Sequence, residues 1–177
     1  MKINIKKPQI NNLCFRMPNA TDGTEIWNLI QKCKPLDQNS MYCNLVQADH
    51  FRDTCVVAEL NGKIVGWISG HIIPQKNEMF IWQVAVCDDA RGLGVGKKML
   101  SELLQRKITQ HISKIQTTIT KDNLASWGLF KSFSSKLEAE LSHKPYYKLE
   151  QHFDNMHDTE HLVTIQLPSS ELPAITV

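Results

Sequence analysis

The sequence predicts a single α/β domain built on a mixed, mostly antiparallel twisted sheet flanked by helices. Three observations carry that prediction. Residues 54–87 hold three β-rich stretches joined by short turns, the pattern of an antiparallel meander. A glycine-rich turn at residues 91–97 leads from the last of these into a helix with a long apolar stripe. A further strand and a further amphipathic helix then follow, and such β–α alternation adds a parallel neighbour to an otherwise antiparallel sheet.

The elements follow in order. Leu13 to Met17 reads as a short strand closed by Pro18. Ile26, Leu29, Ile30 and Cys33 recur at helical spacing within Asp22–Cys33, and Pro35 breaks that helix. A second helix is expected to open at Leu36-Asp37, with Met41, Leu45 and Ala48 on one side. Thr54–Glu59 and Ile64–Ile73 form a hairpin around Asn61-Gly62, the residue pair that tight two-residue turns favour. Glu78–Cys87 is the third strand, and a strict two-residue period puts Phe80, Trp82, Val84 and Val86 on one face. A helix is expected over about Gly94–Gln110, with Val95, Met99, Leu100, Leu103, Leu104 and Ile108 as its stripe. Ser113–Thr120 is a strand and Asn123–Ser135 an amphipathic helix. Two β-like stretches close the pattern, around Tyr146–Leu149 and Leu162–Leu167, before Pro168 and Pro173 suggest a frayed end.

Length and composition limit what this domain does. With 177 residues, 42% apolar and 21% charged, the chain suits one compact domain (1–177, core about 13–167). The formal net charge is only +2, and no basic run is interleaved with aromatics, so no nucleic-acid partner is expected. Met1 to Pro8 lacks the apolar core of a signal peptide, and no stretch is long enough to span a bilayer. Cys14, Cys33, Cys43, Cys55 and Cys87 are scattered and odd in number, which fits reduced thiols in a cytoplasmic protein without a membrane partner. His157 and His161 are spaced to clasp a metal on a helix, but the surrounding threonine, valine and isoleucine favour a strand, so no metal is expected.

The turn Arg91-Gly92-Leu93-Gly94-Val95-Gly96-Lys97 joins a strand to a helix start. Alternating glycines let backbone N–H groups converge without Cβ obstruction, and the helix N-terminus adds positive potential, so the turn suits phosphate. A Walker loop fails here, because Arg91 and Lys98 stand where it needs glycine and a hydroxyl residue. A dinucleotide fingerprint fails on its glycine spacing and on the hairpins before it. The remaining pattern, [Q/R]-x-x-G-x-[G/A] after a strand ending Val84-Ala85-Val86, is met by Arg91, Gly94 and Gly96.

On those residues the chain resembles the GCN5-related N-acetyltransferase (GNAT) superfamily, over about Leu13–Leu149. The resemblance implies a GNAT fold and acetyl-CoA as co-substrate. Backbone amides of Arg91, Gly92, Leu93, Gly94, Val95, Gly96 and Lys97 would hold the pyrophosphate, the main chain of Val84 and Val86 would align the pantetheine arm, and Asn123 would touch CoA. As a purely structural alternative, Asn123 caps the helix it opens. Many members carry a tyrosine seven residues after that asparagine as the acid for the departing thiolate; this chain has Phe130, which cannot donate a proton.

A more specific resemblance covers nearly the whole chain. Leu36–Tyr42, His50–Ala58, Phe80–Val86, Asn123–Phe130 and His157–Glu160 occur in order as in the L-2,4-diaminobutyrate N-acetyltransferases of ectoine biosynthesis, the route to a compatible solute. That implies acetyl transfer to the side-chain (N4) amine of L-2,4-diaminobutyrate, with a homodimer as the assembly. Asp37, Tyr42, Trp82, His157 and Glu160 would form the acceptor pocket, Trp82 as an aromatic wall facing a cation. Glu160 would act as base, Asp37 would anchor the other end, and Tyr42 or a water would return a proton to the thiolate. Main-chain N–H groups near Val84–Val86 would steady the oxyanion, and no cysteine is needed as a nucleophile. Blander roles exist for each: Asp37 as a helix cap with Leu36 and Met41 as its hydrophobic staple, Tyr42 and Trp82 as amphipathic core residues, and His157 and Glu160 as solvated groups. On a straight strand His157 and Glu160 would point to opposite faces, so sharing a ligand requires a turn, a bulge or a dimer. Arg52 is a candidate for the substrate carboxylate by charge alone. The alternatives are acetylation of another diamine or amino acid, and a non-catalytic acyl-CoA-binding domain.

Overall fold

The structure, a computed structural model, describes residues 12–34 and 36–168. Met1–Pro8, the helix-breaking Pro35 and Pro173 lie outside them. Within them run β1 (Leu13–Arg16), α1 (Gly23–Lys32), α2 (Met41–His50), β2 (Val56–Leu60), β3 (Lys63–Ile72) and β4 (Glu78–Val86), followed by α3 (Val95–Leu104), β5 (Lys114–Thr120), α4 (Leu124–Lys136), β6 (Glu140–Tyr147), α5 (Leu149–His152) and β7 (Glu160–Gln166). The seven strands form one sheet in the order β1-β2-β3-β4-β5-β7-β6. Only β4 and β5 run parallel. The mixed, mostly antiparallel sheet flanked by helices is thus as the sequence predicts.

Each sheet face has its own apolar layer. On one face α3 and α4 bring Val95, Met99, Leu100, Phe130 and Phe133 onto Val56, Ile68, Met79 and Ile81. On the other, α1 and α2 bring Ile26, Leu29, Ile30 and Ala48 onto Val57, Trp67 and Ala85. Phe130 and Phe133 are fully buried, and each such side chain contributes about 1.5–3 kcal/mol relative to exposure. Asn61 and Gly62 both take positive φ, as the hairpin between β2 and β3 requires.

Four expectations need correction. The second helix starts at Met41, because Ser40 Oγ accepts the Cys43 N–H (3.1 Å) and caps it; Leu36 and Asp37 belong to the preceding loop. The helix after the glycine turn ends at Leu104. Thr109 Oγ1 donates to the carbonyls of Leu103 (2.7 Å) and Arg106 (2.9 Å), supplying the partners that further helical turns would have given, and Ile108 is exposed. The stretch around Tyr146 is the end of a longer strand, β6, and Leu149 opens the short helix α5. Finally, Phe80, Trp82, Val84 and Val86 do not share a face. The β3–β4 register shifts so that Ser69 pairs with Gln83 and Gly70 with Ile81, leaving Trp82 as an extra, bulged residue. Phe80 therefore packs by the His71 ring, whereas Val84 and Val86 face the α3–α4 layer.

The bulge is built into the sequence. A Cβ at Gly70 would come within 2.7 Å of the Phe80 carbonyl oxygen, so glycine alone permits this approach. Thr54 Oγ1 donates to the Gly70 carbonyl at 2.7 Å and fixes the opposite edge.

Candidate active site

The parallel ladder between β4 and β5 lasts only from Glu78–Lys114 to Phe80–Gln116. Beyond it the two strands diverge, β4 remaining with β3 and β5 with β7. Two adjoining clefts fill this splay.

The first, of about 520 Å³, is lined by Val84 and Val86 on one wall, the turn at Arg91–Lys97 below, and Asn123, Ser126 and Leu129 of α4 opposite. Gly92 (φ +76°) and Gly94 (φ +73°) sit in the left-handed region, which L side chains enter only at a cost. Gly94 is the N-cap of α3 and has no side chain to satisfy the first helical amides. Those amides are therefore free for an external acceptor, and the helix start favours an anion. The expected set of amides narrows, however. Arg91 N–H already donates to Asp88 (3.1 Å) and Leu93 N–H to Ala90 (3.4 Å), while the Leu93 side chain packs on the core. Gly92, Gly94, Val95, Gly96 and Lys97 have no such partner among the described residues. The Arg91 guanidinium is turned back as well, Nη1 to Asp88 (2.8 Å) and Nε to the Val86 carbonyl (3.3 Å). At Gly96 a Cβ would meet Leu129 at 3.1 Å, so this glycine also lets α3 approach α4.

The second cleft, of about 470 Å³, is lined by Asp37, Trp82, His157 and Glu160, with Thr117, Thr118, Thr120 and Phe130. Asp37 stands on its rim, with a side chain 78% exposed, and Glu160 lies deep, at 16%. His157 is between them, Nε2 lying 3.7 Å from Asp37 Oδ2 and 3.9 Å from Glu160 Oε1. A bend before β7 lets His157 and Glu160 meet. His157 Nδ1 lies 2.8 Å from the Asp158 carbonyl, which only accepts, so Nδ1 donates to it while Nε2 faces the two carboxylates. Glu160 Oε2 is buried and has no hydrogen-bond partner among the described residues. Burial pushes the Glu160 carboxyl above its ordinary value, His157 opposes the shift, and the Asp37 carboxylate adds to it. The arrangement gathers two carboxylates and an imidazole beside an aromatic wall, a place made for an ammonium group.

Tyr42 is not brought there. It lies on α2 with 75% of its surface exposed and lines neither cleft. Arg52 lies in the turn after α2 and is likewise absent from the walls. His161 turns toward Trp127 and His143, so it diverges from His157, and no group of three His, Cys, Asp or Glu among the described residues is placed to hold a metal. Sequence reasoning missed Gln83, a buried residue whose Nε2 donates to the Asp37 carbonyl (2.7 Å) and whose Oε1 accepts from Asn39 (3.0 Å).

The splayed parallel pair, the uncapped glycine turn and the adjoining acidic cleft define an acyl-CoA-dependent acetyltransferase site, and residues 23–134 match the model of the Acetyltransferase (GNAT) family. The chain belongs to that family, and within it to the L-2,4-diaminobutyric acid acetyltransferases. It is 45% identical to the enzyme of that name from Vibrio cholerae over 157 residues, 88% of this chain and 91% of the relative. The Methylotuvimicrobium alcaliphilum enzyme is 44% identical over 154 residues, 86% and 90% of the two chains. Diaminobutyrate acetyltransferase EctA from Paenibacillus lautus, solved in complex with its substrate L-2,4-diaminobutyric acid and coenzyme A, superposes with a TM-score of 0.84 at 36% identity, covering 88% of this chain and 95% of that one.

Proposed function

We propose that the protein transfers acetyl from acetyl-CoA to the N4 amine of L-2,4-diaminobutyrate, giving N4-acetyl-L-2,4-diaminobutyrate for ectoine synthesis. The observation that carries this is the acidic cleft opening directly onto the glycine-turn cleft, with Leu36, Val84, Asn123 and Ser126 lining both. Family membership fixes the same donor and acceptor.

In this reading Gly92 and the amides from Gly94 to Lys97 hold the pyrophosphate, and Val84 and Val86 align the pantetheine arm. Asp37 and Trp82 hold one ammonium end of the acceptor. Glu160, with His157 Nε2 beside it, faces the other, which must lose a proton before it attacks, because a primary ammonium has a pKa of about 10. Direct attack in a ternary complex follows, with main-chain N–H groups of β4 near Val84 steadying the oxyanion. The protein is proposed to be cytoplasmic, where acetyl-CoA is available; no helix among the described residues is long and apolar enough to cross a membrane. A homodimer is proposed from the family resemblance, and Tyr146 and Tyr147 on the exposed strand β6 offer a face for it.

The test is a comparison of turnover with diaminobutyrate, ornithine, lysine and putrescine. Diaminobutyrate is expected to exceed the others in kcat/KM by at least about 100-fold, the discrimination that misplaced methylenes and a missing carboxylate allow. Putrescine turned over equally well would refute the assigned acceptor.

A further inference from the structure

Phe130 removes the phenol that many relatives use beside the departing sulfur, and Tyr42, the other phenol considered, lies outside both clefts. Transfer happens where donor and acceptor clefts meet, so a replacement must line both. Four residues do: Leu36, Val84, Asn123 and Ser126. Leucine and valine side chains carry no exchangeable proton, and a neutral carboxamide does not relay one readily. Thr118 and Thr120 line only the acceptor cleft, and Cys33 only the donor cleft. Among the described residues, Ser126 is thus the one hydroxyl side chain that lines both clefts. Its position is fixed, since its N–H donates to Asn123 Oδ1 at 3.1 Å within the first turn of α4. Its Oγ has no hydrogen-bond partner among the described residues and is only partly buried. Phe130 follows one helical turn later, on the acceptor side of the same helix.

We infer that Ser126 is a catalytic residue that relays a proton to the departing CoA sulfur, replacing the absent phenol; this rests on the acetyl transfer proposed above. As the tetrahedral adduct collapses, the carbon–sulfur bond breaks and its electron pair goes to sulfur. The substrate nitrogen, now bonded to the acetyl carbon, gives its remaining excess proton to Ser126 Oγ, and Oγ–H passes to the sulfur. Amine and thioester thereby become amide and free thiol with no proton gained or lost, and Ser126 ends as it began.

The test uses the full chain and follows diaminobutyrate-dependent thiol release. Ser126→Ala is expected to lower kcat about 100-fold, at the low end of what proton-transfer catalysis supplies. KM for diaminobutyrate and calorimetric CoA affinity should stay within about threefold of the native values. Ser126→Thr, which keeps the hydroxyl, should recover most of the rate, and the solvent deuterium isotope effect on kcat should change in Ser126→Ala. A kcat within twofold of native in Ser126→Ala, equal losses in the threonine and alanine variants, or loss of CoA binding with unchanged kcat at saturation would each overturn the relay. Absence of diaminobutyrate turnover in the native protein would instead overturn the underlying function.

Discussion

At the scale of single residues, Glu160 is governed by its surroundings. Its carboxyl is taken out of water at the foot of the acceptor cleft, and burial raises its pKa. An acid with a raised pKa in the folded state binds its proton more tightly there than in the unfolded chain. Its effect on stability is therefore absent below the ordinary glutamate value. It becomes a penalty as pH rises from that value through the raised one. Activity runs the other way, because a base works only when deprotonated. Replacing Glu160 by Gln should cut kcat about 10²–10³-fold with the fold retained, and should relieve the stability loss across that pH window. In the native enzyme the acidic limb of kcat/KM should lie above the ordinary carboxylate range. A limb at the ordinary value, or a Gln variant retaining a tenth of the rate, would remove Glu160 as the base. Ser126 had a weaker trace in the sequence: its spacing from Asn123 marks a capped first turn, but nothing there reveals that this turn borders two clefts at once.

At the scale of elements, the bulge in β4 and the loop before α2 act together. The bulge releases Trp82 from the β3 ladder and lets it form a cleft wall, while Gln83 next to it grips the loop carrying Asp37. Asp37 itself is mostly exposed, so its position depends on that grip. Replacing Gln83 by Leu keeps the bulk and deletes two hydrogen bonds, each worth about 1 kcal/mol net. KM for diaminobutyrate should rise about tenfold, with CoA affinity unchanged by calorimetry; a parallel loss of both affinities would mean that Gln83 serves the fold in general. The hairpin at Asn61-Gly62, the meander and the glycine turn were legible because local periodicity and turn chemistry decide them. The β4 faces were not, since one extra residue reverses the alternation, although the isolated Gly70 inside a strand pattern was a usable sign of a bulge. The start of α2 is ambiguous in the sequence because Asp37 and Ser40 are both competent caps; in the structure Gln83 holds Asp37 and Asn39 in the preceding loop and Ser40 caps the helix. The insertion of β7 between β5 and β6, which delivers Glu160 to the cleft, is a long-range pairing that no local signal encodes.

At the scale of the whole molecule, the site lies on a seam. β1 to β4 form one half of the sheet and β5, β7 and β6 the other, and the two are laddered only along Glu78–Phe80 and Lys114–Gln116. The Glu78 carboxylate fastens that short ladder, accepting from Lys114 Nζ and Gln116 Nε2, both at 3.2 Å. Farther along, the halves touch through α3 and α4, where Gly96 admits Leu129 and Lys97 Nζ reaches Ser132 Oγ at 3.0 Å. A ligand in the donor cleft contacts both halves, Val84 and Val86 from one and Asn123 and Ser126 from the other, so it closes the seam in the folded state and has no equivalent site in the unfolded chain. At a CoA concentration of 100 times Kd such linkage adds about 2.7 kcal/mol, and for a domain of this size each kcal/mol raises Tm by about 2–4 °C. Scanning calorimetry should therefore show a rise of about 5–11 °C. Hydrogen exchange should slow most at the first turns of α3 and α4 and along the open edge of β4, and least at β1, which is remote from the seam. A shift below about 2 °C at that saturation would show that CoA does not bind the folded chain in preference to the unfolded one, and slowing spread evenly over the sheet would show that the two halves are already rigidly joined without the donor.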